Sequence, residues 1–455
     1  MAELLIVWLF LLVALVAIAV GPPGRGGALT LSYFLGLSLI HVPGVLPFLG
    51  SVDLLSDRET TQLGFELTVE GAGAFVCGAI AARLIAPGMR SWLHSARGGL
   101  AESLEQLGWR SILIGAVAYL VVIPISTYLP SSTAVVSTFT SLLVIGFWLR
   151  LYSSAIANDN RRASRTLALL PLLPATTLIS NGFLSFGVSW VLSVLAFLYV
   201  VSRRRLWIYL ATPIVIFLAL SLFVTYMGGR DALREVMWYR QSSVLDRFQQ
   251  ASHLVTDFQL LDLSSPEHVA AIDARLNQNY LVGAAIQYHQ AGRYEFAYGG
   301  TIPYWALIPR ALWPYKPEVG GGGTAVTDYT GIEFAEGTSV GTGPLFEFYV
   351  NFGTAGVLIG LAGFGFLLMQ LDHRIMRALA RGDGRRLLLN GMPGITLLQP
   401  GGNFLEIMVG VVGALVAARV LLQFRVFHLT PASHAAARLA APFGAAKGAP
   451  RLRSP

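Results

Sequence analysis

Residues 344–371 read PLFEFYVNFGTAGVLIGLAGFGFLLMQL, a run with one charged side chain, Glu347. A helix needs about 20 mainly apolar residues to cross a hydrocarbon core ~30 Å thick, so this stretch spans a bilayer with length left for tilt. Comparable runs lie at 3–20, 29–50, 64–84, 110–129, 133–150, 165–181, 183–201 and 206–227 upstream, and at 386–400 and 403–424 downstream. With the quoted run they make eleven, and the chain reads as an all-α, polytopic transmembrane helix bundle. The composition agrees, with 54% hydrophobic residues, 13% charged residues and a mean hydropathy of +0.61. Soluble domains carry about 25% charged residues, so an ordinary cytosolic enzyme is excluded.

The first run must be separated from a secretory leader, because Ala17–Ala19 looks like a small-residue cleavage site. Its leading residues, Met1, Ala2 and Glu3, carry no basic group, so it is expected to stay as a helix. Orientation follows from arginine and lysine. Twenty-three of the 32 basic residues lie in or beside the loops after the odd-numbered runs, and eight of the other nine lie in one long loop from Arg230 to Lys316. Long loops escape the positive-inside rule, so the N-terminus is expected outside and the C-terminus in the cytoplasm. The net charge of +7 is thus a topology signal and does not point to nucleic acid. Five acids, Glu102, Glu105, Asp159, Asp372 and Asp383, are expected in the cytoplasmic loops.

Prolines interrupt the second run (Pro43, Pro47) and the sixth (Pro171, Pro174), where lost backbone donors need other partners. The tenth run, RLLLNGMPGITLLQP at 386–400, is short and broken by Gly391, Pro393 and Gly394; it is read as a crossing, with a re-entrant segment as the alternative. Four regions result: spans at 1–227, a large extracytoplasmic loop at 228–343, spans at 344–424, and a disordered cytoplasmic tail at 425–455 rich in Ala, Pro and Arg. The loop at 228–343 is too long to be a simple connection, and it carries helix signals. Ser264-Ser265-Pro266-Glu267 supplies a cap and a first-turn proline ahead of apolar residues at Val269, Ile272, Leu276, Tyr280 and Ala284. Asp231 to Leu261 is also expected to be helical and amphipathic.

Several chemistries are unsupported. Gly320–Gly323 is followed by Thr324-Ala325-Val326, so no phosphate loop of the ATPase kind is present. There is no HExxH and no close histidine or cysteine pair, and Cys77 is the single cysteine, so neither a metal site nor an intrachain disulfide is expected. What remains is arginine, aromatic and carboxylate density in the long loop. Its richest stretch, TIPYWALIPRALWPYKPEVGGGG, holds Tyr304, Trp305, Arg310, Trp313, Tyr315 and Lys316. Cations among aromatic rings suit a ligand that is both sugar and phosphate; they equally describe an interfacial aromatic belt. Nine basic residues face seventeen acids on that side, so a phosphate site there must be a local cluster. Three acids, Glu70, Glu347 and Glu406, fall inside apolar runs, where an acid is costly and marks a function by default. Glu347 is the sharpest, because it sits where the long loop re-enters the membrane.

The strings LIPRALWPYKP at Leu307–Pro317 and GTSVGTGPLFEFYVNFGTAGV at Gly337–Val357, with MGGRDAL at Met227–Leu233 and ARLNQNY at Ala274–Tyr280, resemble the oligosaccharide repeat unit polymerases of bacterial envelopes, the O-antigen polymerase (Wzy-type) group. The resemblance covers the long loop and its flanking spans. It implies a GT-C-like glycosyltransferase, acting without metal or cofactor, in the bacterial inner membrane. Its substrate would be an oligosaccharide on a polyprenyl (undecaprenyl) pyrophosphate, with membrane lipid around it and a chain-length regulator as an optional partner. On this reading Arg310 and Lys316 meet the pyrophosphate charge, with Arg230, Arg240 and Arg275 next. Glu347 is the general base, with His289 and Glu336 in reserve. Tyr304, Trp305 and Trp313 line the sugar path, and Asn277 belongs to the substrate-binding set. A glycan ligase using the same donor, and a non-enzymatic transporter of lipid-linked sugars, are the two alternatives.

Overall fold

Backbone polar groups that leave water must be satisfied within their own segment, which a helix does. The computed structural model describes residues 1–19, 26–49, 56–86, 98–122, 137–181, 184–202, 205–236, 244–301, 308, 313, 315, 322–334 and 340–424, and among these it is all-helical. The chain runs through α1 (Ala2–Ala19), α2 (Ala28–His41), a 3-10 helix (Pro43–Leu49), α3 (Arg58–Ile85) and α4 (Gly98–Val117), which ends in a π-helical turn (Ala118–Val122). There follow α5 (Ser141–Ala157), α6 (Asn160–Leu167), α7 (Leu172–Asn181), α8 (Ser185–Val201) and α9 (Arg205–Arg234). The long-loop region holds α10 (Val244–Thr256), α11 (Pro266–Leu276), α12 (Gln278–Gln290) and α13 (Gly322–Thr330). The chain then enters α14 (Gly343–Arg381), α15 (Gly384–Thr396) and α16 (Phe404–Gln423).

Among the described residues five helical stretches are long and apolar enough to cross a membrane: α1, α3, Thr212–Leu233 within α9, α14 and α16. The pair formed by α2 and the 3-10 helix, bent by 44°, makes a sixth if it is one span. Within the described residues the other expected runs coincide with helices that are shorter, broken or more polar, among them α5 and α8, which are apolar but only 17 residues long. These helices agree with a multi-pass membrane protein.

The core is built on α3 and α14, which lie together along much of their length because glycine lets their backbones meet. A Cβ on Gly78 would strike the carbonyl of Ala362, and one on Gly365 would strike that of Phe75. Helix α12 packs on the start of α3 in the same way, through Gly283 against Thr60 and Gly64 against Asn279. Helices α4 and α5 approach through Gly108 and Gly146. One end of that pair is tied to α6 by polar groups: Arg150 lies 3.5 Å from Glu105 and 3.9 Å above the Trp109 ring, and Arg162 lies 2.5 Å from Glu105.

The prolines act as expected. In the second run α2 stops at His41 and Pro43 opens the 3-10 helix. The sixth run divides into α6 and α7 at 168–171, where i→i+3 bonds such as Leu169 N to Thr166 O (3.2 Å) replace the α-helical ladder. In the long loop, Ser265 caps α11 at His268 N with Pro266 in the first turn. The periodic stretch is two helices, though, because the backbone leaves helical geometry at Asn277 (φ −120°, ψ 62°). Of the expected helix over 231–261, the described residues are helical at the end of α9 and over α10, which stops at Thr256. Residues 257–262 are non-helical, and their amides bond to α9 hydroxyls, Gln259 N to Thr225 Oγ1 (3.0 Å) and Leu261 N to Ser221 Oγ (2.9 Å).

Asp372 corrects the expected topology. Helix α14 continues ten residues past 371 to Arg381, and Asp372 is buried inside it, not in a loop. Its carboxylate accepts from Leu29 N (2.9 Å), Thr30 N (3.0 Å) and Thr30 Oγ1 (2.8 Å). Gly27, the residue before α2, has no side chain to cap that helix, so a carboxylate from α14 supplies the missing acceptor.

Candidate functional site

The end of α14 opposite Asp372 begins at Gly343, and Glu347 is in its second turn. Helix α15 starts just beyond the Arg381 end of α14, yet the chain that follows it reaches Gly343, where a Cβ would lie 2.6 Å from Pro400 O. The short helix and residues 397–403 therefore travel the length of α14 together. At the far end Pro400 fills the space left by Gly36, and Gly401 lies beside Gln278 and Ile40. Four segments thus converge: the end of α2, the start of α12, residues 341–347 and residues 400–406.

Glu347 is half-buried at this convergence. Its Oε1 accepts from Phe404 N (2.9 Å), an otherwise unbonded donor at the start of α16, and lies 3.0 Å from Thr342 Oγ1. Thr342 Oγ1 is also 2.8 Å from Asn403 Oδ1, so its one proton serves one acceptor at a time. Asn403 Nδ2 lies 3.5 Å from Glu406 Oε1, joining a second carboxylate to the group. Gln278 Nε2 donates to Gly341 O (3.3 Å) at its edge, and the rings of Phe348 and Phe404 meet edge to face at 5.7 Å. Glu347 Oε2 receives no hydrogen bond among the described residues, and neither Glu347 nor Glu406 has an ion-pair partner among them. The arrangement offers a carboxylate with one oxygen held and the other open, among amide and hydroxyl groups.

A second set of contacts adjoins it. Helix α14 is not continuous: Gly353 has φ 65° and ψ −158°, a combination reserved for glycine. The break frees the carbonyls of Val350 and Asn351, which accept from Ala297 N (3.1 Å) and Tyr298 N (3.0 Å). The buried Asn351 side chain accepts from Gly299 N (2.8 Å) and donates to Thr301 Oγ1 (2.6 Å) and to Glu347 O (2.7 Å). Phe296 packs against Gly353, with His289 stacked on Phe296 at 4.0 Å between centroids. His289 Nδ1 is bonded to Tyr294 O (3.0 Å), and the Tyr294 hydroxyl donates to Ala285 O (3.1 Å). Burial among these rings pushes the Tyr294 phenol above its ordinary pKa.

The other expected site residues fall as follows. Asn277 is buried, and its amide donates to Asp273 Oδ1 (2.8 Å) and Ser56 Oγ (3.1 Å), which joins α11 to the start of α3. Arg230 is half-buried on α9 and Arg275 is exposed on α11; Trp313 and Tyr315, outside the helices, are also exposed. Glu70 is exposed on α3. Arg240, Tyr304, Trp305, Arg310, Lys316 and Glu336 lie outside the described residues. Gly322 and Gly323 of the glycine run open α13. Among the described residues no group of three or more His, Cys, Asp or Glu could hold a metal ion. Thr342, Asn351 and Asn403 carry no sequence signal beyond being polar residues beside apolar runs. Glu406 carries one, as an acid inside such a run. No protein-family model matches the chain, and no curated protein or solved structure does either.

Proposed function

We propose that the protein is an integral membrane glycosyltransferase of the repeat unit polymerase type, an eleven-span, GT-C-like bundle in the bacterial inner membrane with the Glu347 end outside. The tenth crossing is then α15 together with residues 397–403. The observation that carries the reading is Glu347 itself, a half-buried carboxylate with one oxygen held by Phe404 N, within reach of Thr342 Oγ1, and the other open, where the long loop re-enters. A general base needs this arrangement, with orientation set by one oxygen and a lone pair left for the substrate.

In the reaction, a hydroxyl oxygen of one lipid-linked oligosaccharide bonds to the anomeric carbon of a second. The bond from that carbon to the pyrophosphate breaks, the proton passes to Glu347, and polyprenyl pyrophosphate leaves with the electron pair. No metal or nucleotide enters the balance. The described part of the site is acidic and amide-rich, which suits a neutral, hydroxyl-bearing acceptor. The developing pyrophosphate charge needs cations, and Arg310 and Lys316 remain assigned to it on the sequence resemblance. Polar groups gathered at one end of the bundle suit an enzyme better than a carrier, which needs a polar path through its spans.

Glu347→Gln is the informative substitution, since it keeps an oxygen acceptor for Phe404 N and Thr342 while removing the basicity. With protein abundance unchanged, polymer formation should fall by about 10²-fold or more. Normal polymer length and yield in that variant would sink the assignment.

A further inference from the structure

Asn351 lies one helical turn after Glu347, is 1% exposed, and has every polar atom of its side chain engaged. Its Nδ2 reaches both Glu347 O and Thr301 Oγ1, and its Oδ1 takes Gly299 N. The turn it grips is strained. Tyr298 has φ 45°, unusual for a residue with a side chain, Gly299 has φ 90°, and Gly300 N closes the turn onto Ala297 O at 2.7 Å. A strained turn persists only where its surroundings over-determine it. Here two main-chain bonds to the broken α14 and two side-chain bonds of Asn351, to Gly299 N and Thr301 Oγ1, do so.

A buried amide serving only the local helix would not need partners on a segment 52 residues away. A structural tie for the turn alone would not need a bond to Glu347 O. Asn351 makes both, so the turn at 297–301 and the helical turn carrying Glu347 form one rigid unit. We propose that Asn351 is a positioning residue for Glu347, acting by holding that helical turn in register with the turn from which the arginine- and aromatic-rich stretch departs. This rests on the reading of Glu347 as the base; the tie itself does not.

The test combines turnover with amide exchange in the full-length protein in detergent or vesicles. The substrate is an undecaprenyl-pyrophosphate-linked oligosaccharide. Asn351→Ala should lower kcat tenfold or more with KM within twofold, and should speed exchange at Ala297, Tyr298 and Gly299. Asn351→Asp keeps acceptors for Gly299 N and for the Thr301 hydroxyl and loses donation to Glu347 O. It should hold exchange near the wild-type rate while kcat still falls, and it remains informative if the alanine variant does not accumulate. In the Glu347→Gln background, Asn351→Ala should lower the residual rate no further, since a residue acting through Glu347 has nothing left to position. Wild-type kcat in Asn351→Asp, or losses that multiply in the double variant, would overturn the proposal. Absence of turnover in the wild-type protein would overturn the polymerase reading and with it the catalytic role. Exchange at 297–299 would still decide whether Asn351 makes the tie.

Discussion

Asp57 opens α3 in the ordinary way, with a carboxylate that accepts from Thr60 N and Thr60 Oγ1, both at 2.8 Å. Those bonds hold its pKa below the usual aspartate range. A depressed folded-state pKa means the cap's contribution is present above the unfolded value, near 4, and is lost as pH falls through the folded one. The Asp57→Asn variant, whose amide oxygen can still cap, should therefore lose less stability than wild type in thermal melts taken from about pH 5 downward. Caps of this kind are readable in a sequence, as Ser265-Pro266 was for α11, because donor and acceptor lie within three residues. Asp372 is the opposite case. It caps α2 from 342 or more residues away, and nothing near position 372 or position 29 announces it.

Helix α14 makes the same point for an element. Hydropathy marks 344–371 as one crossing, and the chain there is helical, but the break at Gly353 and the continuation to Arg381 are not visible in an apolar average. The break has a mechanical role, since it exposes the two carbonyls that capture the 297–298 backbone. Gly353→Ala should be destabilising by about 1–3 kcal/mol, because an L-residue is strained at φ 65° and its Cβ would meet the Phe296 ring at 2.9 Å. Melting of the purified protein checks the stability. Faster exchange at Ala297 and Tyr298 would place the loss at the break.

Across the whole molecule, glycine decides how closely helices approach. Gly73 and Gly78 stand on the same helix, α3, and differ only in what faces them. A Cβ at Gly73 meets nothing within 4 Å, whereas one at Gly78 strikes the Ala362 carbonyl of α14. Gly73→Ala should be neutral or stabilising by up to about 1 kcal/mol. Gly78→Ala should force the helices apart and cost about 1–3 kcal/mol. Equal melting temperatures for the two variants would mean that α3 and α14 do not meet as described.

The amino-acid sequence sufficed for the all-helical, membrane-compatible character, for the proline breaks and for the start of α11, because these depend on hydrophobic runs and on bonds between near neighbours. It also singled out Glu347 and Glu406 as acids in costly positions. That Glu347 meets Phe404 N, 57 residues away, and reaches Glu406 through Asn403 was decided only when residues 397–403 returned along α14. The physical reason is common to all these cases. Burial obliges a polar group to find a partner, but which partner it finds depends on where distant segments converge, and local spacing does not carry that information.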